Sequence, residues 1–402
     1  MMSATRPEHQ LLSSVACRSR NTARSQQIRL LVQRELDWEY LLAIADRHSL
    51  IPLLYFHLNA VAPSSVPDRV MCRLQDANRK STQSSLFLAG ELIKVLEFLE
   101  ANGIQAVPFK GPTLALRAYG DVGLRQFSDL DILVHAQDVI RVRRLLVSRG
   151  FKPTPQFSAE QEAALLRFDC AHNLDNGAGV VVDVHWKFVE RHSSFAINPD
   201  PLWDRLEPIT IGDKQLLTLS TEDLLLILCL HGFTHLWERL GWICDVASLV
   251  DSRKDLNWPL VLENVDRLGL RRVLLLGLLV AADVLDATIP KEIRQAATGD
   301  ATVQRLAGQV QEQLFLEQST PPGFFGGAIL NLRMRERRLD RLGSFLRLIF
   351  TPRSYDWMFL SLPEWLLFLY YPLRPLRLAG KYGAKLVKAA AGFPEAGADS
   401  AN

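Results

Sequence analysis

The stretch KGPTLALRAYGDVGLRQFSDLDILV, residues 110–134, decides the fold. The short apolar run IQAVPFK (104–110) before it reads as a strand, and Gly111-Pro112 breaks that strand. Pro112 suits the first turn of a helix, and residues 113–119 continue in helical spacing. Residues 120–128 read as a loop and 130–134 as a second strand. Asp129 and Asp131 stand two apart at the mouth of that strand, so both point to one side of the sheet. Two carboxylates held side by side repel each other unless a cation sits between them, and a Mg²⁺-nucleotide site needs that arrangement. A surface turn that happens to carry two acids has the same spacing.

Moving outward, 136–149 reads as a helix with Val139, Val142, Leu145 and Leu146 on its inner face, ended by Gly150. Residues 167–174 and 180–189 read as strands, and DNGAG (175–179) between them is a hairpin turn. The strand VVVDVHWKF carries Asp183, an acid that is costly in an apolar strand unless it is paired or bound to a cation. A strand-end position or an arginine partner is the other reading. His185, two residues on, faces the same side. On the N-terminal side, 68–101 reads as one long helix with a stripe at Leu86, Ala89, Ile93, Leu96 and Leu99, closed by Asn102-Gly103. Residues 61–67 form a linker, 28–59 read as helical with Pro52 starting a second short helix, and the first 27 residues read as a frayed arm without a signal peptide. The segment is too small for a doubly wound dinucleotide fold and has no G-x-G-x-x-G after its first strand.

The 402 residues allow two or three domains. With 48% hydrophobic and 22% charged residues, the composition is that of a globular protein, and a net charge of +2 gives no argument for nucleic acid as a bulk partner. Five scattered cysteines, none in a C-x-x-C pair, point to free thiols in a reducing compartment.

From residue 220 the periodicity is helical. Ser220–Asp223 starts it as a capping box, and helices are expected at 224–237, 242–250, 256–268, 270–285 and 293–316. His231, His235, Glu238, Trp242 and Asp245 fall within an arc of ~80° if one helix runs through them. The spacing H-G-F-T-H is not the zinc motif H-E-x-x-H, and a polar face docked on another domain explains it as well. After a loop at 323–328, residues 329–350 read as a basic amphipathic helix. The segment WMFLSLPEWLLFLYYPLRPLRL (357–378) is apolar but broken by Pro363, Glu364 and Pro372, a poor membrane span. Arg374, Arg377, Lys381, Lys385 and Lys388 lie in and after it. It suits a packed helix, an oligomer contact or an anionic membrane surface.

The patterns F-K-G-x-x-L-A-x-x-x-Y, then L-R-x-x-S-D-x-D-I-L-V, then V-D-V-H-W resemble the nucleotidyltransferase superfamily with a DNA-polymerase-β-like core, and within it an uncharacterised bacterial nucleotidyltransferase family. The resemblance covers about residues 81–249 and includes the H-x-x-x-H…W-x-x-D stretch. It implies an α+β fold: a small mixed-sheet core flanked by helices, followed by a mostly helical C-terminal region. The expected division is an N-terminal helical region (1–80), the core (81–215), a helical bundle (216–325), a basic and aromatic helical tail (326–390) and a disordered end (391–402). It also implies that Asp129 and Asp131 bind metal, and that Asp183 is a third ligand that orients or deprotonates an acceptor hydroxyl. Most of the superfamily has Gly-Ser at the strand–helix turn. This chain has Lys110-Gly111, where Gly111 permits close backbone approach and Lys110 supplies charge. Arg125 and Ser128 complete the expected phosphate contacts, with a solvated loop arginine as the alternative for Arg125. His185, His231, His235, Trp242 and Asp245 form the expected cleft wall.

The activity implied is Mg²⁺- or Mn²⁺-dependent transfer of a nucleoside monophosphate from an NTP, such as ATP, to a hydroxyl, with release of pyrophosphate. The acceptor is open among sugar, small molecule, peptide and protein. The alternative is a catalytically degenerate nucleotide-binding or regulatory protein on the same fold. A cytoplasmic location is expected, with peripheral membrane contact through 329–388 as an open alternative.

Overall fold

The computed structural model describes residues 6–18, 21–193, 195, 197–316 and 330–390, with backbone alone for residue 338 and residues 381–390. The expected loop at 323–328, the disordered end at 391–402 and the side chains of Lys381, Lys385 and Lys388 lie outside the described parts. The chain forms two compact units. One takes Met1–Pro155, Ala171–Phe188 and Ile197–Gly323, and the other Gln156–Cys170, Val189–Ala196 and Phe324–Asn402.

The first unit opens with helices α1 (Pro7–Val15), α2 (Thr22–Val32), α3 (Trp38–Arg47) and α4 (Ile51–Val61). The expected frayed arm is therefore a helix over part of its length. Leu11, Leu12 and Val15 of α1 are fully buried, and burial of that stripe holds the helix in place. The expected run 28–59 is three helices. Asp37 caps α3 by accepting the Tyr40 N–H at 3.0 Å, and Ser49 takes a positive φ between α3 and α4. Helix α5 (Asp68–Ala101) has the expected bounds, with Gly103 at φ +69° beyond its end. Its buried stripe runs through Leu88, Leu92, Val95, Leu96 and Leu99, whereas Leu86 is exposed. The expected stripe was thus out of phase at its N-terminal end.

Strand β1 (Ala106–Pro108) leads to α6 (Pro112–Leu114), which widens into a π-type turn at Ala115–Tyr119. Then come β2 (Asp129–Val134), α7 (Val139–Ser148), β3 (Lys152–Thr154), α8 (Ala159–Phe168), β4 (Ala171–Asp175) and β5 (Val181–His185). The sheet order is β1-β2-β5-β4-β3, with β2 and β5 parallel and the other neighbours antiparallel. The expected strand at 167–174 begins only at Ala171. Ser158 and Gln161 form a capping box that starts α8 instead, and α8 belongs to the second unit. Strands β6 (Glu207–Ile211) and β7 (Lys214–Thr218) make a separate hairpin turned at Gly212, φ +62°.

A helical bundle follows: α9 (Thr221–Thr234), α10 (Leu240–Ser252), α11 (Trp258–Leu268), α12 (Arg271–Leu285), α13 (Lys291–Gly299) and α14 (Ala301–Gln313). The expected helix 293–316 splits because the Asp300 carboxylate accepts the N–H groups of Thr302 and Val303 and starts a new helix. A Cβ on Gly277 of α12 would come within 2.6 Å of Cys229 Sγ on α9, so α9 and α12 pack closely there. In the second unit, α8 is joined by helices Arg338–Phe350, Ser354–Phe359 and Tyr370–Ala390. Among the described residues, no helix is long and apolar enough to cross a membrane.

Candidate active site

The parallel pair β2 and β5 builds the site. Its register sets Asp131 directly opposite Asp183 and Asp129 opposite Val181. On β5, Val182 and Val184 are buried, while Asp183 and His185 share the other face. His185 Nε2 lies 3.2 Å from Asp131 Oδ1 and 3.1 Å from Asp183 Oδ2. Lys110 Nζ stands 3.5 Å from Asp131 Oδ1 and 3.4 Å from His231 Nδ1. The cluster is Asp131, Asp183 and His185, where the sequence reading expected Asp129, Asp131 and Asp183 as ligands and His185 in the cleft wall, and the Lys110 contact joins it to α9.

The Lys110-Gly111 turn sits on the backbone of Asp129. Gly111 has φ +55°, and a Cβ there would lie 3.3 Å from the Asp129 carbonyl oxygen. Phe109 donates its N–H to the Asp131 carbonyl at 3.3 Å, so the turn and the acid strand form one rigid piece. Ser128 is exposed just before Asp129. The edge of Phe109 packs on His185 with ring centroids 5.2 Å apart, a contact the sequence reading did not anticipate.

Charge is finely set here. Burial pushes the Asp131 carboxyl upward, but Lys110 and the hydrogen bond from His185 outweigh it and hold the group well below the usual range. For His185, burial opposes protonation, but the charges of Asp183 and Asp131 raise it to about 9. Asp129 is pushed up by burial and by the negative charge of Asp131. His231 is held neutral by burial and by Lys110. The His185 imidazolium therefore places positive charge between two carboxylates, where a divalent cation would otherwise sit.

The donor set fits such a cation. One ligand atom from each of Asp131, Asp183 and His185 lies within 4.8 Å of the others. Asp183 Oδ1 is buried without a hydrogen-bond partner, an arrangement that normally signals a missing ion or water. His185 Nδ1 faces the Lys187 carbonyl oxygen at 3.3 Å, the usual outer contact of a histidine that gives its other nitrogen to a metal. Asp129, on the same face, stands outside that three-residue group.

The other expected cleft residues divide. The rings of His231, His235 and Trp242 gather with centroids 4.6–5.2 Å apart. One continuous helix does not bring them together: α9 ends at Thr234, and α10 starts at Leu240 after positive φ values at Leu236 and Trp237. Trp237 packs so tightly over Gly232 that a Cβ there would come within 2.4 Å of its ring, which folds the break back on α9. Glu238 is exposed.

Arg125 and Asp245 pair with each other, while the Arg125 charge is still felt by Asp129 and His231. The guanidinium makes two parallel bonds to the carboxylate, 2.8 Å from Nε to Oδ1 and 2.9 Å from Nη2 to Oδ2. The Tyr119 hydroxyl donates to Asp245 Oδ1 at 2.8 Å. The pair braces the loop before β2 against helix α10.

The chain also resembles known proteins. One similar solved structure is an antigenic nucleotidyltransferase-like protein from Paracoccidioides brasiliensis, at 16% identity and a TM-score of 0.28, covering 54% of this chain and 97% of that one. No curated protein matches. A family model described as "Uncharacterised nucleotidyltransferase" matches residues 34–286, a span that holds the five-stranded sheet, Lys110, the three aspartates, His231 and His235. By that match over more than half its length, the chain belongs to the uncharacterised nucleotidyltransferase family.

Proposed function

We propose that this protein transfers a nucleoside monophosphate from an NTP to an acceptor hydroxyl and releases pyrophosphate. The observation that carries the reading is the Asp131–Asp183 register with a buried, unpartnered Asp183 Oδ1. Asp131, Asp183 and His185 Nε2 would hold a divalent cation, with Asp129 beside it. Such a cation would draw negative charge from the triphosphate. Lys110 supplies a fixed positive charge at the phosphate turn, and Gly111 lets the backbone approach closely. The acceptor oxygen attacks the α-phosphorus, the bond to the β-phosphate oxygen breaks, and the acceptor proton passes to the Asp183 carboxylate. His231, held neutral, forms with His235 and Trp242 a wall for base or acceptor stacking.

The test is mass spectrometry of the full chain with Mn²⁺ or Mg²⁺ and each NTP in turn, looking for nucleotidylated products, self-modification and bound ligand. Turnover retained in Asp129→Asn and Asp131→Asn would sink the assignment.

A second reading, nucleotide binding without turnover, draws on the Lys110–Asp131 contact, because a built-in ammonium offsets part of the acid charge. Calorimetric titration with ATP and CTP in the presence of metal separates the readings: binding without product favours the second.

A further inference from the structure

The second unit carries an amphipathic helix turned inside out. In Arg338–Phe350, the exposed large side chains are Leu339, Leu342, Phe345, Leu346 and Phe350, with Leu339 at 83% exposure. At ~100° per residue they span an arc of ~140° opposite Ser344. Ser344 is buried and marks the side that packs inward. Inward anchoring is polar: Arg374 donates to the Leu348 carbonyl and pairs with Asp356, and Arg377 reaches Asp356 at 2.8 Å. An ordinary surface helix does the reverse.

Further large apolar side chains of the same unit are exposed outside this helix. Phe359 is 82% exposed, Trp365 73% and Leu376 70%, and Tyr355 is exposed as well. Such an expanse of uncovered apolar surface marks an interaction site. Its charge tells which partner fits. Residues 330–380 hold nine arginines and four acids, a net +5, against +2 for the whole chain. Two copies of such a surface would repel each other, whereas an anionic bilayer would attract it. Aromatic side chains with polar edges, here Trp365 and Tyr355, suit the headgroup boundary.

We infer that this face docks the protein on an anionic membrane surface. The helix lies in the interface plane, its leucines and phenylalanines enter the acyl boundary, and the exposed Arg341 and Arg347 at its flanks meet lipid phosphates. The contact is peripheral, since no described helix is long and apolar enough to span.

The experiment is co-sedimentation of the full chain with vesicles of phosphatidylcholine alone or mixed with phosphatidylglycerol, alongside light scattering without lipid. The chain is expected to bind the mixed vesicles, and high salt to weaken binding. The triple variant Leu342→Glu, Phe345→Glu and Leu346→Glu changes only exposed positions. It is expected to lower partitioning by about 100-fold or more. Leu86→Glu, exposed on α5, is the control expected to bind as the parent chain does. Three outcomes overturn the inference: no binding to either vesicle, equal binding to both, or a lipid-free dimer that the triple variant dissolves, which would assign the face to a second copy.

Discussion

Two buried acid clusters in the first unit invite comparison. Around Asp245, the fork of Arg125 and the hydroxyl of Tyr119 occupy the carboxylate in nearly ideal geometry. Around Asp131 and Asp183, one imidazole bridges two carboxylates, Lys110 stands at the long limit of a hydrogen bond, and a buried oxygen has no partner. A saturated cluster holds structure together. An unsaturated one keeps capacity for a ligand. Nothing in the residue types separates the two, because both are aspartates with cationic neighbours. The difference lies in how completely the lone pairs are used.

The sharpest way to break the comparison is to neutralise one acid from each cluster. Asp131→Asn is expected to lower nucleotidyl transfer by ~10³-fold or more while the fold persists. Asp245→Asn, which strands the Arg125 charge in a buried place, is expected to cost about 3 kcal/mol in urea unfolding. If Asp245→Asn removed activity and left stability alone, the two clusters would have to exchange roles.

Metal binding sharpens the contrast. Mn²⁺ added to the full chain is expected to show ¹⁴N coupling in electron spin-echo spectra, lost in His185→Gln along with ~10–100-fold of affinity. Nitrogen coupling that survives the substitution would point to another nitrogen, such as that of His231. Arg125→Lys is expected to leave Mn²⁺ affinity unchanged, because Arg125 serves the saturated cluster.

A histidine outside both clusters supplies a test that only pH reveals. Burial, and then the charge of Arg47, lower His48 to about 3. Its Nδ1 accepts the Leu240 N–H at 3.0 Å, so the neutral ring ties α3 to α10. In the unfolded chain the ring titrates near 6.5, so below that value the unfolded state binds a proton that the folded state refuses. The contribution is complete above pH ~6.5 and is lost toward pH ~3, at up to ~1.4 kcal/mol per pH unit. Urea unfolding of the parent chain and of His48→Gln across this window checks it. The parent should show the steeper slope.

Much of the site was legible because strands have period two. That rule alone placed Asp129 with Asp131 and Asp183 with His185, and the Asn-Gly turn announced the hairpin that brings β5 beside its neighbours. What escaped depended on longer-range geometry. Arg125 and Asp245 are far apart in sequence, and their pairing follows from where α10 docks, which no local pattern encodes. The cleft rings meet through a chain reversal at Leu236 and Trp237, residues that carry no turn signature. Other omissions were readable. The S-x-x-Q of Ser158–Gln161 signalled α8, and ITIGDKQLLT signalled the β6–β7 hairpin. The buried α1 shows the limit of reading a polar N-terminus as unstructured: its few leucines suffice once a bundle receives them.

The parallel pairing of β2 with β5 has one more consequence. Its ligand atoms come from strands separated by α7, β3, α8 and β4, so no short fragment of the chain can assemble them. A cation held there binds the native state and not the unfolded one. Its presence should raise the melting temperature in proportion to the logarithm of its concentration, which makes thermal denaturation a direct assay for correct strand registry.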